Sequence, residues 1–412
     1  MVAVDLPPAS ARATRAAVGI ERMIVRRVTL TNVRAHAHLL VDLRPGLNVL
    51  VGPNGAGKTT ILEALALVLQ GGMLRPGSVR DLIKQDEEFL RVEVVLAEIT
   101  GREIHAAGAY TRGGDRRLTA DGADLPDSSR WRESAQVRTF IPDDLRLIKG
   151  SPRRRRDYLD TLAGAQDPAY RDTLRQYEEA LAQRNSLLRS RYLDLEDHQF
   201  APWEKILAET GTVISTKRAA RLQNFIGTFQ QTYAQLTGEP GESIRLVYRS
   251  NANGLDIVEY ETRLREMRGA DRQRTFTHLG PHRDDLRLMR RGLDMRDCAS
   301  QGEQRAALLT MVLAEWEESG RGSGAVGEPD RFLPQAAGDL PAPSASEPVT
   351  TPGRRPLLLL DDVMSELDEE KRRALVAVVR RGGQTIVTAT DLRYFTSEEL
   401  TAAHLVDLPA RA

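Results

Sequence analysis

Eight residues near the start of the chain, Gly52-Pro53-Asn54-Gly55-Ala56-Gly57-Lys58-Thr59, have the types and spacing to hold a nucleotide triphosphate. Small residues let backbone N–H groups wrap phosphate oxygens, and a helix beginning at Lys58 adds its positive end. The Lys58 ammonium would bridge the outer phosphates; the Thr59 hydroxyl, followed by Thr60, would take one position on a Mg²⁺ ion. An ordinary glycine turn would not require the apolar strand Leu47 to Val51 on one side and an apolar helix on the other. Asp361 stands 303 positions beyond Lys58, at the end of the apolar run Leu357 to Leu360, where a carboxylate can hold the metal through water. Asp362 follows, placed to orient or deprotonate the attacking water, although two acids after a buried strand can also cap a turn. Ser300-Gln301-Gly302-Glu303 precedes a helix carrying Ala306, Leu308, Leu309, Val312 and Leu313. A serine hydroxyl and free N–H groups at a helix start make a second anion site; serine is equally a common helix cap. Thr390 or Asp391, at the end of a further strand, could sense the terminal phosphate.

These residues need a large scaffold, and 412 residues provide two or three domains of ordinary size. Hydrophobic residues are 41% and charged residues 28%, the balance of a soluble globular protein. Basic and acidic residues number 58 each, so any contact with nucleic acid must come from a local patch. Cys298 is the only cysteine, which excludes an intramolecular disulfide and fits a reducing cytosol; a packed, inert thiol in a buried turn is expected. No apolar run approaches a membrane span, and Pro7, Pro8, Arg12 and Arg15 break any secretory core in residues 1–22, which read as a disordered tail.

The pattern along the chain predicts how the motifs are positioned. Residues 23–125 are strand-rich around one phosphate-binding helix, whose Ile61, Leu62, Leu65, Val68 and Leu69 form one broad apolar face. Strands are predicted at 23–33, 39–43, 47–51, 90–99 and 102–110, with a hairpin at Asp121-Gly122. Residues 126–270 change to helical periodicity. Helices over 168–192 and 203–236, separated by Pro202 and a polar stretch, predict a short antiparallel hairpin with arms of about 40–50 Å. Arg184 interrupts the apolar stripe of the first, and no heptad series supports a long coiled coil. Residues 271–412 return to the ATPase motifs, with a flexible Gly/Pro/Ala/Ser insertion at 320–353. The fold class is therefore α/β: a P-loop ATPase head with an inserted helical arm.

The order of the P-loop, Ser300-Gln301-Gly302-Glu303-Gln304-Arg305 and Leu360-Asp361-Asp362-Val363-Met364-Ser365-Glu366-Leu367-Asp368 resembles ABC-type ATPases of the SMC-like branch. More specifically it resembles the bacterial RecF family. Three further stretches carry that likeness: Thr31 to His36, Ile141 to Pro152 with Arg154, Arg155, Leu159 and Asp160, and Thr277-His278-Leu279-Gly280-Pro281-His282-Arg283-Asp284-Asp285. The likeness covers residues 23–408 apart from the insertion. It implies a cytoplasmic ATPase that dimerises with ATP between subunits, Arg34 approaching the nucleotide and Ser300 of one protomer meeting the γ-phosphate held by Lys58 of the other. It also implies binding to gapped or junction DNA, single- and double-stranded, slow DNA-stimulated ATP hydrolysis, loading of RecA with RecO and RecR, and SOS induction. Two positions depart from the pattern. Glu303 stands where many relatives carry Gln, and Val33 replaces the usual Phe. The catalytic position Asp362 carries Asp where most related ATPases have Glu, so its reach is shorter and hydrolysis slower.

A local basic run supports a DNA partner. Between Arg130 and Arg156 lie nine basic residues and three acidic ones, in a chain neutral overall. A solvated helix face explains such runs as readily as phosphate contact. Two other functions compete. A membrane-transporter ATPase subunit keeps its motifs closer together, without an inserted helical domain. A nucleotide-regulated nuclease needs a further metal cluster, and Gly280-Pro281 prevents His278 and His282 from sharing a helix face.

Overall fold

The computed structural model describes residues 23–75, 77–98, 101–125, 131, 137–165, 167–190, 197–252, 254–321 and 355–409. The expected tail 1–22 lies outside the described residues, as does all of the expected insertion 320–353 except Gly320 and Arg321. The chain divides into two compact units, Met1–Asp143 with Glu315–Ala412, and Asp144–Ala314. The expected boundaries at 125/126 and 270/271 differ from these divisions for a physical reason. Val137–Phe140 pairs in parallel with Leu357–Leu360 of the first unit, and the sheet around Asp285–Arg290 packs with the helices of the second unit.

In the first unit, period-2 patterning produces a six-stranded antiparallel sheet of order β2-β1-β4-β5-β6-β7. These strands are β1 (Met23–Val33), β2 (His36–Asp42), β4 (Phe89–Glu98), β5 (Glu103–Thr111), β6 (Arg116–Ala120) and β7 (Ala123–Asp124). Asp121-Gly122 makes the β6–β7 turn, pairing Ala120 with Ala123. The second sheet is wholly parallel, in the order β14-β3-β13-β12-β8: His404–Asp407, Leu47–Val51, Thr385–Ala389, Leu357–Leu360 and Val137–Phe140. Its central strands are mostly apolar and almost wholly buried because both faces are covered, and the polar residues they carry, Asn48, Thr385 and Thr388, are buried too. Helix α1 (Lys58–Leu69) packs against strands of both sheets. Every residue of it except Thr59 is buried, so the expected one-sided apolar face is in fact buried all round. Helices α10 (Glu369–Arg380) and α11 (Ser397–Thr401) complete this unit.

The second unit is built on α4 (Pro168–Arg189) and α5 (Asp197–Thr237). They run antiparallel, since Arg184 meets Glu204 while Asp167 meets Lys217. The arms are unequal: α5 has 41 residues, about 60 Å at 1.5 Å per residue. It begins before Pro202, which lies inside the helix, contrary to the expected break. So close to the helix start a proline forfeits no more than one intrahelical bond. Short helices α2 (Arg146–Lys149) and α3 (Pro152–Gly164) precede this pair; α6 (Ile257–Glu266) and α7 (Arg268–Arg274) follow it. A three-stranded sheet, β11-β10-β9 (Leu293–Asp294, Asp285–Arg290, Ile244–Arg249), leads to α8 (Met295–Cys298) and α9 (Gln301–Arg321).

Arg184, which breaks the apolar stripe of α4, is fully buried. Its guanidinium donates to Asp271 at 2.7 Å, Thr277 Oγ1 at 2.9 Å, Glu204 at 3.2 Å and the Leu264 carbonyl at 2.9 Å. The stretch Thr277 to Asp285 forms the polar heart of this unit. Arg218 donates to the Pro281 carbonyl and to Asp284, which also accepts from the Tyr248 hydroxyl. His282 donates from Nε2 to the Thr277 carbonyl at 2.8 Å, which fixes its tautomer, and Nδ1 accepts from the Tyr177 hydroxyl at 2.6 Å. Burial holds this imidazole neutral, with its pKa lowered to about 4. Gly280 has φ +132°, and a Cβ there would run into the Tyr177 and Tyr260 hydroxyls. Cys298 is exposed at the end of α8, not packed in a buried turn, because that helix is a single turn between the hairpin and α9.

Candidate functional site

The cleft that the P-loop opens is built wholly from the first unit and has a volume of about 350 Å³. Strand β3 delivers the chain into the loop, and Gly57 caps α1 with φ +94°, a left-handed geometry that costs glycine little. Asn54, Gly55, Gly57, Lys58, Thr59 and Thr60 line the cleft from this side. Gly52 is packed so closely that a Cβ would strike the Leu408 carbonyl. Pro53 supplies a carbonyl to Lys58, and Ala56 is buried beneath the loop. The Lys58 ammonium is 2.6 Å from the Gly52 carbonyl and 2.9 Å from that of Pro53. Its pKa is lowered by burial, against the opposing charges of Asp362 and Asp361.

Sheet order accounts for the meeting of distant motifs. Strand β13 lies between β3 and β12, so the ends of all three strands face the same cleft. Asp361, at the end of β12, accepts from Thr59 Oγ1 at 2.8 Å and from Thr388 Oγ1 of β13 at 2.9 Å. Asp362 has φ +47°, and its N–H donates to Thr388 Oγ1 at 2.8 Å. Its Oδ1 is buried and makes no hydrogen bond. Thr390 lines the cleft, whereas Asp391 caps the following turn through the Arg393 N–H and pairs with the Arg393 guanidinium.

Two participants were not anticipated. Arg75 lines the cleft, its Nη2 2.6 Å from Asp361 Oδ2. Glu63 lies within α1, completely buried, with Arg34 Nη2 2.9 Å away. Burial raises the Glu63 pKa, opposed by Arg34 and Arg75. Arg34 also lines the cleft, on a turn residue with φ +50°. A lone acid among the apolar residues that follow Thr60 was the legible sign of Glu63; nothing in the sequence around Arg75 marks it.

The residues fit a Mg²⁺-nucleotide. Hard oxygen donors converge at Thr59 and Asp361, an ammonium and two guanidiniums surround the cleft, and one buried carboxylate oxygen at Asp362 lacks a partner. Among the described residues no group of three or more His, Cys, Asp and Glu could hold a metal unaided. No described helix is long and apolar enough to cross a membrane.

Ser300, Gln301 and Gly302 belong to the second unit, where Ser300 caps α9. Of the basic run at 130–156, Arg130 and Arg132 lie outside the described residues. Arg138 pairs with Glu315 at 3.4 Å. Arg155 is buried, 2.6 Å from Asp285, and donates to the Ile148 and Gly150 carbonyls, so it braces α3 against β10. Half-buried Arg156 donates to the Asp284 carbonyl. Lys149, Arg153 and Arg154 are exposed.

The profile of the AAA domain family matches residues 27–185. The DNA replication and repair protein RecF of Heliobacterium modesticaldum is 32% identical over 397 residues, covering 94% of this chain and 98% of that protein. The protein of the same name from Symbiobacterium thermophilum is 33% identical, covering 93% and 95%. Among solved structures, the recombination mediator protein RecF-ATP of the RecFOR pathway superposes with a TM-score of 0.72 at 26% identity, covering 90% of this chain and 93% of that one. An Smc head domain from Pyrococcus furiosus shares the fold, with a TM-score of 0.52 at 15% identity over 92% and 91%.

Proposed function

The chain belongs to the RecF family of DNA replication and repair proteins, and from that premise we propose an ATP-switched, DNA-binding recombination mediator. The observation that carries this reading is the convergence of Lys58, Thr59, Asp361 and Asp362 on one cleft despite their separation in sequence. ATP with Mg²⁺ is the ligand, and the ion, when bound, neutralises charge on the outer phosphates. The N–H groups of the P-loop, residues 52–59, bind phosphate oxygens, and Lys58 exchanges its carbonyl partners for them. Thr59 and Asp361 would hold the metal, directly or through water, with Arg75 paired to Asp361 beside it. Arg34 steadies the phosphates from its Glu63 anchor, and Thr390 faces the terminal one. Asp362 orients the attacking water with its unpartnered oxygen.

Ser300, Gln301 and Gly302 cap the γ-phosphate held by a second protomer, making an isologous dimer with two composite sites. The dimer binds gapped or junction DNA through phosphates, hydrolyses ATP slowly in the cytoplasm, and supports RecA loading with RecO and RecR and SOS induction. The superposition on a RecFOR mediator over nearly the full chain supports this reading over a transporter subunit. Light scattering tests the dimer: 45.7 kDa without nucleotide and twice that with ATP. Ser300→Arg should bind ATP yet stay monomeric, and a dimer of unchanged affinity in that variant would remove the composite site.

A further inference from the structure

The turn that begins α9 carries its own anion. Glu303 Oε2 accepts from the Ser300 N–H at 2.8 Å, and Ser300 Oγ accepts from the Glu303 N–H at 3.3 Å, a closed capping box. The Ser300 N–H bond, the Ser300 hydroxyl and the guanidiniums of Arg290 and Arg291 hold the Glu303 pKa below the usual carboxylate range. In the dimeric reading, a partner's triphosphate comes to this same turn, so Glu303 sets a like charge beside it. A glutamine would cap the turn equally well without that charge.

Arg290 answers the charge. Its Nη1 lies 2.9 Å from Glu303 Oε1, with the Arg290 side chain only 17% exposed. The same guanidinium donates to Glu239 Oε1 at 2.7 Å and to the Tyr233 hydroxyl at 3.2 Å. Tyr233 lies in the last turns of α5, and Glu239 stands two residues beyond that helix's end. One fork of hydrogen bonds therefore joins the end of the arm helix to the capping box of the serine turn. We propose that Arg290 is a positioning residue of the nucleotide-capping turn: it cancels the Glu303 charge where a second copy of this chain presents ATP, and it ties the turn to the helical arm. The inference rests on the dimeric reading of Ser300. A guanidinium with fixed partners on both sides is suited to this task because its planar donors hold geometry as well as charge. Displacing the end of α5 would draw Arg290 from Glu303 and restore the repulsion, so the arm and the nucleotide interface share one ion pair.

The experiment is a charge cycle read by light scattering with ATP, alongside ATP binding to the monomer and thermal melting. Arg290→Met should raise the protein concentration at half-dimerisation about tenfold, the worth of one charge-assisted hydrogen bond. Glu303→Gln should dimerise at least as readily as the wild type. The double variant should return to within about twofold of the wild type, since the capping acceptor remains and the charge is gone. Were Arg290 only a brace between β10 and α5, the double variant would be no better than Arg290→Met, and that result overturns the proposal. If Arg290→Met melts too early to assay, Arg290→Gln, which removes the charge but keeps a polar side chain, replaces it in the cycle. Its midpoint should be raised and then restored by Glu303→Gln, and a wild-type midpoint for it would equally overturn the assignment. Ser300→Arg separates the two ideas. If it dimerises normally, the composite site falls; if it is monomeric and Glu303→Gln rescues nothing, only the role of Arg290 falls.

Discussion

Asp362 occupies a left-handed backbone position, which costs a non-glycine residue about 1 kcal/mol, and its buried Oδ1 has no partner. A residue under strain with unused acceptor capacity suits a role in the chemical step, while Lys58 suits ligand binding. Asp362→Asn should therefore keep ATP affinity within about threefold and slow turnover by about a hundredfold, the usual scale of a general base. Lys58→Met should lose tight binding itself. Single-turnover hydrolysis and nucleotide fluorescence separate the two, and wild-type turnover in Asp362→Asn would move water activation elsewhere. His282 makes a different residue-scale prediction. Its folded pKa of about 4 lies below the ordinary 6.5, so folding favours the neutral ring. The stabilisation is complete above about pH 6.5 and is lost as pH falls toward 4, at most about 3 kcal/mol. Melting temperature between pH 7 and 4.5 should fall less steeply in His282→Gln than in the wild type. Parallel profiles would show that another group carries the acid sensitivity.

The elements were legible where burial is simple. Leu47–Val51 matches the strand read from sequence residue for residue, since an apolar run bounded by a glycine loop on one side leaves little choice. The P-loop and Asp361, singled out by type and spacing, meet at one cleft. Pro202 misled because a proline reads as a helix break, although the start of α5 tolerates it. Arg155 misled for a deeper reason. Within the run 153–156 one helical face points to solvent and another to β10, and only tertiary packing reveals which arginine is which. That distinction sharpens the DNA prediction. Charge reversal at exposed Arg153 and Arg154 should flatten the log–log salt dependence of DNA binding by about one or two units, at about 0.9 per phosphate contact. An unaltered slope with intact ATP binding would place the DNA on another face. Arg155→Glu should instead lower the melting temperature, because it would bury an anion beside Asp285.

Across the whole molecule, one compact unit holds the P-loop cleft and the other holds Ser300 and the helical pair. An ATP-assembled dimer gives that division a purpose, because each nucleotide then joins the first unit of one protomer to the second unit of its partner. In the proposed dimer two protomers would double the basic surface exposed at Lys149, Arg153 and Arg154, so DNA affinity should follow nucleotide state without preference among duplex sequences. The most direct measurement is fluorescence anisotropy of gapped DNA titrated with the protein at fixed salt, with ATP, with ADP and without nucleotide, for the wild type and Lys58→Met. Wild-type affinity should rise at least about tenfold with ATP alone, a coupling of about 1.4 kcal/mol, and Lys58→Met should show no such gain. Equal wild-type affinity in all three nucleotide states would contradict the switch.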